Sequence, residues 1–186
     1  TSLAQLAEKL QGSLHYDETY KKLYSSDASV YREAPTAVAY PKDKRDLQIL
    51  IQFAEENKIS SIPRTAGTSL GGQVVGQGIV VDVSKYFTEI LEINTEEKWV
   101  KVQPGVIRDD LNRYLQPYGL MFAPETSTSN RAMIGGMVGN NSCGTYSIVY
   151  GSTRNHVLEL EGFLSDGSLV NFGDLTERKL QEKLTV

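Results

Sequence analysis

The stretch that decides the fold is Pro63-Arg64-Thr65-Ala66-Gly67-Thr68-Ser69-Leu70-Gly71-Gly72-Gln73, which directly follows a predicted strand over 60–63. Its glycines permit positive φ and let a ligand approach the main chain closely. Successive N–H groups in such a loop can form a concave anion site, to which Thr68 and Ser69 add hydroxyl donors. The loop therefore predicts a diphosphate-binding site, with an ordinary turn-rich connection as the alternative.

Two common phosphate-binding signatures are absent from this loop. The sequence lacks G-x-x-x-x-G-K-[ST], because no lysine follows Gly67 in the required place. It also lacks a G-x-G-x-x-G pattern that opens a helix. The loop is thus typical neither of a nucleotide-hydrolysing site nor of the NAD-binding dinucleotide fold.

The elements around the loop predict a mixed α and β unit. Upstream, a strand over 36–40 and a helix capped by Asp43 precede the strand at 60–63, which makes a βαβ-like opening. Two helices over 3–10 and 17–24 come before them, with His15 at the start of the second. Downstream, the patterns predict a buried strand, a hairpin, two helices, a second hairpin and a polar helix, over 78–83, 90–102, 107–115, 132–140, 157–172 and 174–184. We therefore expect a helical lead-in over 1–35 and one domain over 36–186.

Composition excludes several classes of function. The 186 residues carry 19 basic and 23 acidic side chains, so 19 − 23 gives a net charge of −4. Without a long Lys/Arg run, this charge argues against nucleic acid as a partner. No stretch approaches the roughly 18 apolar residues that a transmembrane helix needs. The single cysteine, Cys143, excludes an intrachain disulfide and favours a reducing compartment.

A second glycine-rich stretch follows a hydroxyl-rich segment over 122–129. It is Met133-Ile134-Gly135-Gly136-Met137-Val138-Gly139-Asn140-Asn141-Ser142-Cys143-Gly144. The Gly-Gly turn again suits close contact with a polar, extended ligand. Taken alone, this stretch does not identify the ligand.

Together the two stretches resemble the cofactor-binding segments of the FAD-linked oxidase superfamily, which includes p-cresol methylhydroxylase and vanillyl-alcohol oxidase. Supporting motifs in that family's order are Gln103-Pro104-Gly105, Pro124-Glu125, Ile134-Gly135-Gly136, Asn141 and Tyr150-Gly151. The resemblance runs over about 41–173 and is strongest to the branch of D-lactate, glycolate and D-2-hydroxyglutarate dehydrogenases. The segments 26–31 and 140–144 look like those of long members that also carry a C-terminal iron–sulfur region.

The resemblance implies an α+β fold, the PCMH-type FAD-binding domain of two α/β subdomains, with the second incomplete in this chain. FAD would lie between the subdomains without a covalent bond, because the loop lacks the histidine to which some members attach it. Ala66 and Cys143 depart from the glycines that many members have there, and we expect the Cys143 thiol to be buried or half-buried. The expected cofactor-binding residues are Arg64, Thr65, Ala66, Gly67, Thr68, Ser69, Leu70, Gly71, Gly72, Gln73, Pro124, Thr126, Ser127, Ile134, Gly135, Gly136 and Asn141.

The resemblance also implies the activity, which is hydride transfer from a small D-2-hydroxy acid to FAD. It implies an iron–sulfur region as a possible electron acceptor, and a cytoplasmic protein or one held at a membrane through its acceptor. No residue is a convincing catalytic base or metal ligand, and we expect His156 to be a packed imidazole at the end of a strand. The family's cap domain and a Ser-Glu-Gly-Thr-Leu-Gly-like segment have no counterpart before Val186. We therefore expect an excised or truncated piece that is inactive in isolation.

Three alternatives remain open at this point. A sugar or aldonolactone oxidase of the same superfamily often carries the histidine that is absent here. The reductase of UDP-N-acetylmuramate synthesis usually has Gly-x-Gly-Ser-Asn where this chain has Gly67-Thr68-Ser69-Leu70. A non-catalytic nucleotide-binding or docking module is the alternative outside enzymes.

Overall fold

The computed structural model describes residues 2–184, in which helices and strands are mixed along the chain. The helices are α1 (Leu3–Lys9), α2 (Glu18–Leu23), α3 (Lys44–Asn57), α4 (Arg108–Leu115), α5 (Ile134–Asn140), α6 (Ser147–Tyr150) and α7 (Glu177–Leu184). The strands are β1 (Ser13–His15), β2 (Ala37–Tyr40), β3 (Ser61–Arg64), β4 (Ile79–Asp82), β5 (Ile90–Asn94), β6 (Trp99–Val102), β7 (Leu160–Phe163) and β8 (Leu169–Phe172). The mixed α and β class predicted from the sequence is confirmed.

A four-stranded sheet with the order β1-β2-β4-β3 forms the first layer. β4 lies between β2 and β3 and is parallel to both, with Val80 beside Val38 and Ile62. All four positions of β4 are buried, which is the pattern of a central strand in a parallel sheet. Because parallel strands end at the same edge, the loop after β3 and the end of β4 lie side by side.

Helix α3 is capped by Asp43 and connected to neighbouring segments by Asp46. The Asp43 side chain caps the helix by accepting from the Asp46 N–H. The Asp46 carboxylate is fully buried and accepts three main-chain N–H groups, at 2.8–2.9 Å, from Gln11, Gly12 and Lys42. These bonds join the residues after α1 and the residue two positions after the end of β2 to α3, and they supply the partners that a buried carboxylate needs.

The expectation for His15 was wrong. It lies in β1, antiparallel to β2, and the following helix begins at Glu18 with Asp17 as its cap. A three-residue strand is too short to show periodicity, so only its pairing with β2 reveals it. Leu6, Leu10 and Leu14 from this region share one core with residues of α3 and β4. The division at residue 35 stays a prediction.

The second half of the chain builds a separate core. The antiparallel hairpin β5–β6 packs with α4 and α5, and Leu111, Leu115 and Met137 are buried among them. A short bridge between Ile107 and Met133 joins the starts of α4 and α5. The hairpin β7–β8 follows through two short helical segments, α6 and a 3₁₀ turn over Thr153–His156.

For the helices of residues 2–184, length and hydropathy are the two properties that bear on a transmembrane span. None of them combines the length and the apolar character that crossing a bilayer requires.

Candidate cofactor site

The two glycine-rich stretches meet at one cleft. Its volume is about 400 Å³ including the part open to solvent. The two stretches approach closely at Thr65 and Gly136, where a Cβ added to Gly136 would lie 2.6 Å from the Thr65 Oγ1. The lining residues are Thr65, Gly67, Thr68, Ser69, Val74, Thr126, Thr128, Ala132, Met133, Gly136, Met137, Asn140 and Ser142.

The first wall of the cleft is the loop after β3. Gly67 and Gly72 have φ of 64° and 70°, a region that side chains with a Cβ rarely adopt. Within the described part of the chain, no N–H of residues 65–73 donates to a main-chain carbonyl, and only Gly71 donates to a side chain, the Ser69 Oγ. These main-chain donors are otherwise not used within that part of the protein, so an anionic ligand could accept from several of them at once.

The second wall is built on α4 and α5. The Arg108 Nε donates to the Pro124 carbonyl at 3.1 Å, and the Asn112 side chain bonds both the N–H and the C=O of Phe122. The Gly135 N–H donates to the Pro104 carbonyl at 2.8 Å, and a Cβ on Gly135 would lie 2.4 Å from the Pro104 Cβ. Gly135 therefore serves the packing of α5, which brings the next residue, Gly136, against the first wall.

The floor near the end of α5 is held by Thr153. Its side chain is fully buried, and its Oγ1 and N–H both donate to the Ser142 carbonyl, at 2.7 and 3.0 Å. The Asn141 side chain accepts from the Arg154 N–H, so it binds the protein rather than the cleft. Gly144 lies so close to the Glu125 carbonyl that a Cβ would be 2.4 Å from its oxygen.

The structure divides the seventeen predicted site residues into two groups. Six line the cleft: Thr65, Gly67, Thr68, Ser69, Thr126 and Gly136. The other eleven lie beside or behind it, namely Arg64, Ala66, Leu70, Gly71, Gly72, Gln73, Pro124, Ser127, Ile134, Gly135 and Asn141. Of these, Leu70 is 79% exposed, whereas Pro124 and Ile134 are buried.

Sequence reasoning missed seven residues of the lining: Val74, Thr128, Ala132, Met133, Met137, Asn140 and Ser142. A helical pattern could have found some of them. Met133, Met137 and Asn140 follow at spacings of four and three residues, so they share one face of α5 with Gly136.

The cleft wall is chemically neutral. Among the described residues that line it, none has a titratable side chain, so main-chain amides, hydroxyl groups and one carboxamide provide the polarity. In the described part of the chain, no three His, Cys, Asp or Glu side chains are grouped to hold a metal ion. The neutral hydrogen-bond donors suit the oxygens of a diphosphate. The apolar side chains of Val74, Met133 and Met137 suit the flat rings attached to it.

Two further expectations were wrong. Cys143 is exposed, although we expected a buried or half-buried thiol. His156 is also exposed, and it ends a 3₁₀ turn rather than preceding a strand, with its Nε2 2.8 Å from the Tyr150 carbonyl oxygen. Both residues lie in short irregular segments whose exposure depends on contacts between distant parts of the chain.

Comparison with known proteins agrees with this geometry. Residues 35–173 match the model of the family described as FAD binding domain. A D-2-hydroxyglutarate dehydrogenase of Pantoea ananatis is 45% identical over 150 residues, which cover 79% of this chain and 15% of that protein. The glycolate oxidase subunit GlcD of Bacillus subtilis is 32% identical over 169 residues, covering 89% of this chain and 36% of the relative.

The solved structure of p-cresol methylhydroxylase with substrate bound superimposes with a TM-score of 0.74 at 19% identity, over 85% of this chain and 32% of that one. This likeness concerns the fold. The chain thus spans between about a seventh and about a third of the length of these three proteins. The resemblance found in the sequence and FAD as the cofactor are both confirmed. The chain belongs to the FAD-binding domain family.

Proposed function

We propose that this chain binds FAD without a covalent bond in the cleft between the loop 65–74 and α5, and that the protein carrying it oxidises a small D-2-hydroxy acid. One observation carries the assignment of the site. Loop residues whose amides have no acceptor in the described part of the chain, Thr65, Gly67, Thr68 and Ser69, line the cleft opposite Gly136 of α5. The names of the relatives, D-2-hydroxyglutarate dehydrogenase and glycolate oxidase subunit, support the substrate class.

Different residues of the cleft would contact different parts of the cofactor. The N–H groups of residues 65–69 and the hydroxyls of Thr68 and Ser69 would donate to the diphosphate. Gly136 leaves room for the loop to approach α5, because any Cβ would collide with Thr65. The apolar side of the cleft, formed by Val74, Met133 and Met137, would contact a ring system.

The substrate side of the reaction needs groups that the cleft wall lacks. Bound FAD supplies the acceptor for the hydride that leaves the substrate carbon, and a base must take the hydroxyl proton. Since no described lining residue is titratable, we propose that the base comes from outside this cleft. An iron–sulfur region that receives the electrons is part of the same proposal.

The experiment uses the whole gene product that carries this chain. We expect it to contain releasable flavin and to reduce a dye with D-lactate, glycolate or D-2-hydroxyglutarate, whereas the L-enantiomers of the chiral acids should be inert. Gly136→Ala should lower the flavin content, because its Cβ would lie 2.6 Å from the Thr65 Oγ1. Gly139→Ala is the matched control, because a Cβ added to Gly139 has nothing within 4 Å. Flavin absorbance without turnover of any hydroxy acid would leave the cofactor site standing and refute the substrate class. Absence of flavin from the reconstituted protein would refute the site.

A further inference from the structure

Arg64 begins the loop, but its side chain turns away from the cleft. The half-buried guanidinium donates from Nη1 to the Ser26 carbonyl at 3.1 Å, and its Cζ lies 4.8 Å from the centre of the Tyr24 ring. It also covers the α-carbon of Gly67, where a Cβ would lie 2.7 Å from Nη2 and 3.0 Å from Cζ. The guanidinium is therefore enclosed by an aromatic face, a carbonyl and a glycine of the loop.

The aromatic face is itself fixed to the sheet. The Tyr24 hydroxyl donates to the Asp82 Oδ2 at 2.6 Å and lies 2.6 Å from the Tyr40 hydroxyl. Asp82 is buried at the end of β4, directly beside Arg64 at the end of β3. Burial and the hydrogen bond to Asp82 raise the pKa of the Tyr24 phenol, so the ring remains neutral and bonded over the physiological range.

The segment before β2 holds the same loop at two more points. The Ala28 N–H donates to the Gly67 carbonyl at 3.2 Å. The Tyr31 ring covers Gly72, where a Cβ would lie 2.5 Å from the ring. Gly67 and Gly72 are the two loop residues with positive φ. The segment 24–31 thus contacts the loop where its direction changes.

We propose that Arg64 is a positioning residue for the diphosphate. It holds Gly67 between the Tyr24 ring and the cleft, so that the free amides of residues 65–69 face the ligand before the ligand binds. The inference rests on the proposed function of the cleft. It gives Arg64 a role different from the expected direct contact with the cofactor, and it makes Tyr24, which is not a residue of the cleft lining, a part of diphosphate binding.

A lysine could not replace Arg64 in this arrangement. The planar guanidinium can lie against an aromatic ring and donate in its own plane at the same time, whereas an ammonium is a compact, strongly hydrated charge. A residue that met the phosphates by charge alone would tolerate lysine. The two roles therefore differ in what a charge-conserving substitution does.

The experiment measures the affinity of the whole gene product, freed of flavin, for FAD, ADP and riboflavin, with ADP and FAD carrying the diphosphate and riboflavin lacking it. We expect Arg64→Lys, Arg64→Met and Tyr24→Leu each to weaken FAD and ADP about tenfold or more, equivalent to about 1.4 kcal/mol, and to change riboflavin less than twofold. The double variant Arg64→Met with Tyr24→Leu should have the same FAD affinity as whichever single variant binds FAD less tightly, because both substitutions remove one contact. Arg113→Lys and Arg113→Met, at an exposed ion pair on α4, are the matched controls.

Each other outcome overturns the inference in a recognisable way. If Arg64→Lys binds FAD normally while Arg64→Met loses it, Arg64 acts by its charge. If riboflavin is lost together with FAD, the role is only structural. If Tyr24→Leu binds FAD normally, the ring does not position the loop. If the unaltered protein binds no FAD, the proposed function itself fails and takes this inference with it.

Discussion

Gly135→Ala offers a sharp test of how α5 is placed. The new Cβ would lie 2.4 Å from the Pro104 Cβ, and ordinary contact begins at 3.4 Å, so α5 must move by about 3.4 − 2.4 = 1.0 Å. Proline is rigid, and its Cα and carbonyl oxygen are also within 3.1 Å of the new atom. Neither partner can rotate away from the contact.

The expected loss of stability follows from three terms. Overpacking costs about 1–3 kcal/mol, and weakening the bond from the Gly135 N–H to the Pro104 carbonyl costs about 1 kcal/mol. Better helix propensity returns up to about 1 kcal/mol. We therefore expect Gly135→Ala to lower the free energy of unfolding by about 1–3 kcal/mol. FAD affinity should fall as well, because Gly136 moves with the helix.

The assay is urea unfolding followed by circular dichroism, with flavin titration on the same samples. Gly139→Ala is the control, because it lies in the same helix with nothing within 4 Å of the new Cβ. It should be neutral or stabilise the protein by up to about 1 kcal/mol. Equal unfolding midpoints for the two variants would refute the reasoning that Pro104 fixes α5.

Substitutions at three other positions test the framework around the cleft. Asp46→Ala leaves three main-chain donors without their buried acceptor, so we expect a loss of roughly 3 kcal/mol or more in urea unfolding. Thr153→Val removes the hydrogen bond from the hydroxyl to the Ser142 carbonyl, so it should lower the free energy of unfolding by about 1 kcal/mol and weaken FAD binding. Thr153→Ser keeps the hydroxyl and should preserve the hydrogen bond and the FAD affinity. Because the folded pKa of Tyr24 is raised, its contribution to stability is complete below the unfolded pKa of about 10 and is lost as pH rises above it. Tyr24→Phe should make the alkaline fall of the unfolding free energy less steep.

Each of these expectations has an opposing result. An Asp46→Ala protein as stable as the unaltered one would show that water replaces the carboxylate at the three amides. Identical FAD affinity in Thr153→Val and Thr153→Ser would remove Ser142 from the cofactor site. Parallel stability curves above pH 10 for Tyr24→Phe and the unaltered protein would mean that the Tyr24 hydroxyl is not held in its neutral form.

Much of the fold was visible in local sequence patterns. Asp43 marks the start of α3 because a side-chain cap acts on neighbouring N–H groups. The apolar run of β4 predicts a buried strand, and the structure pairs it in parallel with β2 and β3 with all of its positions buried. β1 escaped prediction because its three residues gain their conformation from β2.

The two glycine-rich stretches, together with the motifs around them, were sufficient to indicate the family and FAD, whereas the diphosphate-binding role of the loop stays a prediction. Conformational freedom at Gly67 is a property of the residue itself, so the sequence displays it. The direction of a side chain is different, because it depends on which distant groups surround it. Only the folded chain turns Arg64 towards Tyr24 and Ser26, exposes Cys143, and brings Gly136 to Thr65. Those contacts join residues far apart in the sequence, and packing of the whole domain decides them.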